Sequence, residues 1–357
     1  MVTKKEVDAP KGVPSYEGKV KEAVSGEEEK EVKKENKKED KEPQITDLPG
    51  IGPAVAAKLE SAGVFDLMSL AVMNPSVLSD IAGVGAGVAR KAIQAARDML
   101  ELGFQTGIEY AKKRDNVTSI TMGSDNLNEL LGGKGIVSRS ITEAFGAYGS
   151  GKTQLGLTLA VNVQLPLEKG GANGKCVFID TEGTFRPKRI REIAEAMGAN
   201  PEKVLKNIFV ARAFNSDHQI LLLEKISEMV KAGEPIKLLI IDSLTAHFRA
   251  EFAGRGQLAD RQQKLNKYMH NLMKLAEQHN LAVYVTNQVM SNPAQMFGDP
   301  TVAIGGNIVG HASTYRIYLR RGKKDSRVAK LIDSPDLPDN ETVFFLTGAG
   351  VRDEVGE

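Results

Sequence analysis

Eight consecutive residues carry the clearest chemistry in the chain: Gly146-Ala147-Tyr148-Gly149-Ser150-Gly151-Lys152-Thr153. An apolar run, Ile141 to Phe145, precedes them, and a helix-like run, Thr153 to Val163, follows. The spacing G-x-x-x-x-G-K-T between a strand and a helix is that of a phosphate-binding loop. Glycines let successive backbone N–H groups turn toward one anion. The helix start adds the positive end of its dipole. Lys152 is then placed for the β- and γ-phosphates of a triphosphate, and the Thr153 hydroxyl for Mg²⁺. An unliganded glycine-rich turn is the bland alternative, and the strand before with the helix after argues against it.

Acids end two further apolar runs. Lys237-Leu238-Leu239-Ile240-Ile241-Asp242 reads as a buried strand delivering a carboxylate at its C-terminal edge, where a parallel sheet faces phosphate. Asp242 is therefore the candidate acid beside the metal; the competing reading is a cap on the turn at Ser243. Cys176 to Ile179 runs into Asp180-Thr181-Glu182. Glu182 or Asp180 could take a proton from an attacking water, and the residues themselves leave the choice open. Leu281 to Thr286 ends in Asn287-Gln288, a neutral amide able to sense a terminal phosphate. The glycine- and proline-containing stretch Ser291–Gly310 follows, read as a long functional loop.

These groups need a scaffold that brings strand ends together. From Gly123 to about Val351 strands and helices alternate. Strands are expected at 141–145, 175–179, 208–211, 237–241, 281–286 and 314–319, with helices at 153–163, 187–196, 217–232 and 260–279. That order predicts an α/β fold with a mainly parallel sheet and helices on both faces. Four segments result: a charged tail (1–43), a small all-α domain (44–102), a linker (103–122) and the α/β core (123–357). In the tail, the stretch 26–43 is nearly all Glu, Lys, Asp, Val and Asn. Such a composition predicts disorder, with a transient helix held by Glu/Lys pairs as the alternative. The all-α segment repeats a Gly-apolar-Gly turn before a helix, at Gly50-Ile51-Gly52 and Gly83-Val84-Gly85. Residues 117–122 read as a strand.

Bulk properties bound the rest. The chain has 357 residues, 41% hydrophobic and 26% charged, with a formal net charge of +1. Any nucleic-acid affinity must therefore come from local charge. One cysteine, Cys176, excludes an intramolecular disulfide and fits a reducing compartment. No apolar run approaches the roughly 20 residues needed to cross a bilayer, and a cytoplasmic location is expected.

Six blocks in order carry a resemblance: Gly146–Gln154, Asp180–Pro187, Ala211–Gln219, Gly254-Arg255-Gly256, Thr286–Val289 and Gly305–Ser313. From about residue 45 to the end, the chain resembles the RadA branch of the RecA-type recombinases, P-loop ATPases that exchange DNA strands. The Asp180–Pro187 block separates this branch from ring helicases. The resemblance implies ATP held by Gly146 to Gln154, Glu182 as the group that activates water, and Gln288 as the link between γ-phosphate and loop order. Arg186 resembles the arginine that stacks on adenine. His311 and the turn Asp333–Pro338 resemble elements that reach the ATP of a neighbouring subunit, with a monovalent cation such as K⁺ beside Asp333. DNA contacts would lie on Arg249, Arg255 and Arg261 in a first loop and on Met296 and Phe297 in a second. The Gly50-Ile51-Gly52 turn resembles a helix-hairpin-helix element, whose amides hold DNA phosphates without reading sequence. Phe104 resembles a plug that enters the next subunit; where the usual pattern has alanine this chain has Gly107, which stays small but gives up a methyl contact. Single-stranded and double-stranded DNA are the implied partners, and a helical filament, or rings without DNA, the implied assembly, with no membrane. The expected activity is DNA-dependent ATP hydrolysis coupled to homologous pairing and strand exchange in recombination and double-strand break repair. A non-exchanging ATP-binding accessory protein is the alternative.

Overall fold

The computed structural model describes residues 45–354 except 63, 65–66, 101–103, 115, 253 and 292–300, and for Lys113, Arg255 and Ser291 the backbone alone. The charged tail, Met296 and Phe297 lie outside the described residues. Two compact units are present, one ending at Glu109 and the other beginning at Tyr110.

The first unit is helical. A 3-10 turn at Ile45–Asp47 leads into α1 (Pro53–Ser61), α2 (Leu67–Ala71), α3 (Pro75–Ala82) and α4 (Ala86–Met99). Both glycine turns end at a helix start: Gly52 caps α1, with Pro53 as its first helical residue, and Gly85 caps α4. Proline loses nothing there, because the first N–H groups of a helix have no partner within it. Gly50 and Gly83 take left-handed backbone conformations, with φ of 83° and 65°. Leu48, Ile51 and Leu59 from the first hairpin pack with Leu78, Ala82, Ala89, Ile93 and Ala96 of the second, so the two hairpins share one core. A Cβ at Gly50 would sit 2.5 Å from Val88 Cγ1, which is how closely the repeats approach. A short helix, α5 (Gly107–Arg114), spans the boundary between the units.

The second unit begins with β1 (Ser119–Ile120), α6 (Asp125–Leu130), β2 (Ile136–Val137), β3 (Ser140–Phe145) and α7 (Lys152–Asn162). Then come β4 (Lys175–Asp180), α8 (Pro187–Ala196), α9 (Pro201–Lys206), β5 (Ile208–Arg212), α10 (Ser216–Lys231) and β6 (Ile236–Asp242). After α11 (Ala246–Glu251) and α12 (Leu258–Gln278), β7 (Ala282–Asn287) enters the sheet. β8 (Val289–Ser291) pairs with β9 (Thr301–Ala303), α13 (Gly306–Ala312) follows, and β10 (Tyr315–Arg321) to β13 (Gly350–Arg352), with β11 (Arg327–Asp333) and β12 (Glu341–Thr347) between, complete the order.

The main sheet runs β13-β12-β11-β10-β3-β7-β6-β4-β5. Neighbours from β10 to β5 are parallel, and β10 to β13 pair antiparallel. Central strands are apolar on both faces because helices cover both. Successive residues split between two cores: Leu238 and Ile240 pack with Leu155, Leu159 and Ile190, whereas Leu239 and Ile241 pack with Leu223, Leu272 and Met269. α7 is buried along Leu155–Asn162, and Gly156 lets it approach Tyr284 and Ile240.

Three expectations need correction. Only Ser119–Ile120 of the stretch 117–122 forms a strand, because the Thr121 N–H goes to the Gly170 carbonyl at 2.8 Å and the Met122 N–H to Asn128 Oδ1 at 2.9 Å. Residues 291–310 are not one loop: Val289–Ser291 and Thr301–Ala303 form an antiparallel pair, and a left-handed Gly305 starts α13. The sheet also continues beyond 319 as an antiparallel meander, β11 to β13, that the alternating pattern does not anticipate.

Candidate functional site

Parallel pairing aligns the carboxyl ends of four neighbouring strands. Phe145 is opposite Asn287, Asp180 is opposite Asp242, and Ile241 is opposite Val285. The phosphate-loop candidate, the two acids and the amide therefore leave the sheet at one edge.

Gly149 and Gly151 have φ of 75° and 106°, the left-handed conformations a loop curling over an anion needs. Gly146 lies so close to β10 that a Cβ there would overlap the Leu319 carbonyl oxygen. Lys152, the first residue of α7, donates from Nζ to the carbonyl oxygens of Gly146 at 2.8 Å and Ala147 at 3.0 Å. Its ammonium thus lies over the loop. Burial lowers the Lys152 pKa, opposed by Asp242 and then by Glu182. Those two carboxylates keep a positive charge favourable in the site.

Asp242 is buried and accepts three hydroxyls: Thr153 and Thr184 on Oδ2, each at 2.8 Å, and Thr286 on Oδ1. Burial raises its pKa, and the three hydrogen bonds pull the other way. The hydroxyls hold the carboxylate on the phosphate-loop side, and Thr153 and Asp242 stand together as the pair expected to serve a divalent cation. No cluster of three or more His, Cys, Asp or Glu side chains suited to a metal occurs among the described residues. A magnesium ion at this pair would take its remaining ligands from phosphate and water, as the hydration chemistry of Mg²⁺ favours.

Asp180 and Glu182 separate clearly. Asp180 Oδ1 accepts the backbone N–H groups of Glu182 at 3.2 Å, Gly183 at 2.6 Å and Thr184 at 3.0 Å, while Oδ2 accepts that of Phe185 at 3.2 Å. Arg212 adds an ion pair at 3.2 Å. Asp180 is thus consumed in folding the 182–185 turn. Glu182 Oε1 accepts from Ser243 Oγ and from Gln288 Nε2, both at 2.6 Å, and the residue faces the cleft. Gln288 Oε1 in turn accepts from Arg249 Nη1 at 3.1 Å.

The phosphate-loop candidate, Asp242, Glu182 and Gln288 line a cleft of about 830 Å³, a size suited to a nucleotide. Gly146, Ala147, Tyr148, Gly149, Gly151, Lys152, Thr153, Gln154, Glu182, Arg186, Asp242 and Gln288 all border it. Ser150 is buried beneath the loop, and its N–H bonds the Ala147 carbonyl at 3.2 Å. Arg186 donates to the Gly183 and Phe185 carbonyls at 2.7 and 3.0 Å. Gln154 Oε1 accepts from Arg189 at 2.9 Å. Seven further residues border the cleft that sequence reasoning did not assign to a site: Thr184, Ser243, Thr286, Val289, Arg321, Arg327 and Leu346. Arg327 donates to the Gly149 carbonyl at 3.1 Å, and the Arg321 guanidinium packs on Gly149. The hydroxyl following Asp242 was a legible signal for Ser243; the two arginines become neighbours of the loop only through the β11-β10-β3 order.

The remaining expected site residues lie elsewhere. His311, at the C-terminal end of α13, and Asp333 and Pro338 are exposed and do not border this cleft. Arg249 is exposed on α11, Arg255 opens the 3-10 turn Arg255–Gln257, and Arg261 lies in the first turns of α12, so the three flank one short connection. Phe104 is fully exposed, and nothing stands within 4 Å of a Cβ built on Gly107. No helix among the described residues is long and apolar enough to cross a membrane.

Comparison with known proteins bears on the family. Residues 43–98 match the SAM-like helix-hairpin-helix tandem model. Over 328 residues, 92% of this chain and 99% of the relative, the sequence is 49% identical to the DNA repair and recombination protein RadA of Aeropyrum pernix. Residues 113–354 match the Rad51 model, and with a fold, a strand-edge cleft and a relative all in accord, the chain belongs to the Rad51 family.

Proposed function

We propose that this protein is a DNA-dependent ATPase that assembles on single-stranded DNA and pairs that strand with a homologous duplex, in DNA recombination and double-strand break repair. The observation that carries this reading is the cleft in which the 146–153 loop, Lys152, Asp242 and Glu182 face one another across parallel strand ends. The similarity to a recombination protein over nearly its whole length supports the biological role.

Bound ATP supplies the phosphoanhydride, and Mg²⁺ neutralises charge on its oxygens. The chain's own groups do the rest. Backbone amides of the 146–151 loop and the start of α7 bind phosphate. Lys152 leaves its two carbonyl partners for the β- and γ-phosphates, and Thr153 with Asp242 holds the metal. Glu182, free of the loop-building duty that occupies Asp180, orients and deprotonates the attacking water. Arg186 stacks on the adenine. In the assembly, His311 and the Asp333–Pro338 turn reach the nucleotide of the adjoining copy, a K⁺ ion joins Asp333, and the exposed Phe104 enters that copy with Gly107 behind it. Arg249, Arg255, Arg261 and the segment bearing Met296 and Phe297 contact the strand, and the Gly50-Ile51-Gly52 turn steadies duplex phosphates.

A strand-exchange assay with purified protein, a single-stranded circle and a homologous linear duplex tests this. Joint molecules that require ATP and Mg²⁺ are expected. ATP and DNA binding without any joint molecule would instead favour a non-exchanging accessory protein.

A further inference from the structure

We infer that Arg249 is a positioning residue for hydrolysis: its guanidinium holds Gln288 on Glu182 in the DNA-free chain, and transfer of that guanidinium to a DNA phosphate releases the pair. The inference deepens the ATPase reading above and rests on it.

The contacts form a short chain of three side chains. Arg249 Nη1 donates to Gln288 Oε1 at 3.1 Å, and Gln288 Nε2 donates to Glu182 Oε1 at 2.6 Å. An amide that accepts from a cation donates more strongly through its nitrogen, because each bond polarises the next. Ser243 Oγ adds a second donor to the same carboxylate oxygen at 2.6 Å. With both in place, Oε1 of Glu182 holds two hydrogen bonds, and the Gln288 amide is committed to that carboxylate instead of to the terminal phosphate.

Arg249 is suited to change partners, whereas its helix is not free to move. The guanidinium is exposed, and among the described residues it meets a neutral amide oxygen and no carboxylate. A phosphate oxygen would be a stronger partner, since both members of that pair are charged. The backbone of α11 is fixed at several points. Phe248 is buried in the core, His247 Nε2 lies 2.9 Å from the Ala213 carbonyl, and Glu251 accepts the Ser216 N–H at 2.5 Å as well as its hydroxyl. Lys264 on α12 closes the other side, at 2.8 Å from Asp217 and 3.8 Å from Glu251. Exchange of partners therefore falls to the arginine side chain, at the base of the connection that carries Arg255. Once released, Gln288 can turn toward the terminal phosphate, and one of the two donors on Glu182 Oε1 is withdrawn.

The test measures ATP turnover with and without single-stranded DNA for the wild type, R249A, R249K, Q288A and R249A/Q288A, with DNA affinity measured alongside. The wild type is expected to be stimulated by roughly 5- to 150-fold, the span usual for coupled sites. R249A should raise DNA-free turnover severalfold and move the stimulation ratio toward one. R249K keeps the charge but not the fork, so it should keep most of the DNA affinity and still lose the ratio. In the Q288A background, R249A should change DNA-free turnover no further. A stimulation ratio unchanged in R249A and R249K, or additive effects of R249A and Q288A, would overturn the inference while leaving the ATPase reading intact. A wild type that hydrolyses ATP without response to DNA would overturn both.

Discussion

Gln288 Nε2 donates to Glu182 Oε1 at 2.6 Å, which ties the end of β7 to the turn after β4 across the strand between them. The link makes the carboxylate and the amide one unit. It also explains why an amide rather than a carboxylate suits position 288: an ionised carboxylate has no hydrogen to donate to Glu182.

Replacing Glu182 by Gln removes the proposed proton acceptor and keeps the shape. Nucleotide binding should change little, while kcat should fall by about 10²- to 10⁴-fold, the usual contribution of a general base. Phosphate release and nucleotide titration on the same sample separate the two. Asp180→Asn should behave differently, because four backbone N–H groups rest on that carboxylate. Its main effect should be on stability, of about 1–3 kcal/mol, read as a lowered unfolding midpoint.

Burial holds the Asp242 carboxyl above its ordinary value of 3.8. The folded chain therefore keeps a proton that the unfolded chain has already lost. The contribution of Asp242 to stability is most favourable below that ordinary value and declines as pH rises through the elevated folded one. Asp242→Asn should thus unfold at the same or a higher temperature than the parent at neutral pH without nucleotide, and lose the stabilisation that ATP with Mg²⁺ confers. Thermal melts with and without ligand, run as a pH series upward from the ordinary carboxyl value, check both halves.

Gly146→Ala tests the loop's geometry. The added methyl meets the Leu319 carbonyl, which belongs to a sheet strand and cannot step aside. A loss of about 2–4 kcal/mol is expected, together with loss of nucleotide-dependent stabilisation. Gly156→Ala, inside α7, provides the contrast: its Cβ would stand 3.3 Å from Tyr284, a milder crowding that should cost less.

In the helical unit, Gly50→Ala forces a left-handed backbone on alanine and a contact at 2.5 Å with Val88 Cγ1. Destabilisation of about 1–3 kcal/mol is expected. Hydrogen exchange in the full chain should accelerate across α1 and α4, where the two hairpins share a core, and remain unchanged in β3 to β7.

Much of this was legible in the sequence because its signals are local. The strand–loop–helix at 141–163 and the apolar runs ending in Asp180, Asp242 and Asn287 need no tertiary information to be read. What escaped reading depends on topology. β11 to β13 are half-exposed strands, and the seven-residue proline-bearing connection 334–340 masks the strands on either side. Within 291–310 the glycines suggest one loop, yet Gly305 is there to start a helix and Thr301–Ala303 to pair with β8. The choice between Asp180 and Glu182 could not be made from type and spacing, since it turns on which carboxylate the backbone folds around. Glu143 was a missed signal: a charge inside a buried strand, paired with Arg316 at 2.7 Å and bonded by Asn287 at 2.8 Å, which fixes the β3 and β7 ends beside the loop.

Equilibrium binding of a fluorescent ATP analogue, with and without Mg²⁺, bears most directly on the account. Saturable binding that requires Mg²⁺ and weakens by about 100-fold in Lys152→Ala, roughly 2.7 kcal/mol, is the expected result. Absence of saturable binding with Mg²⁺ present, or binding undiminished in that variant, would contradict the assignment of the 146–153 loop as the nucleotide site.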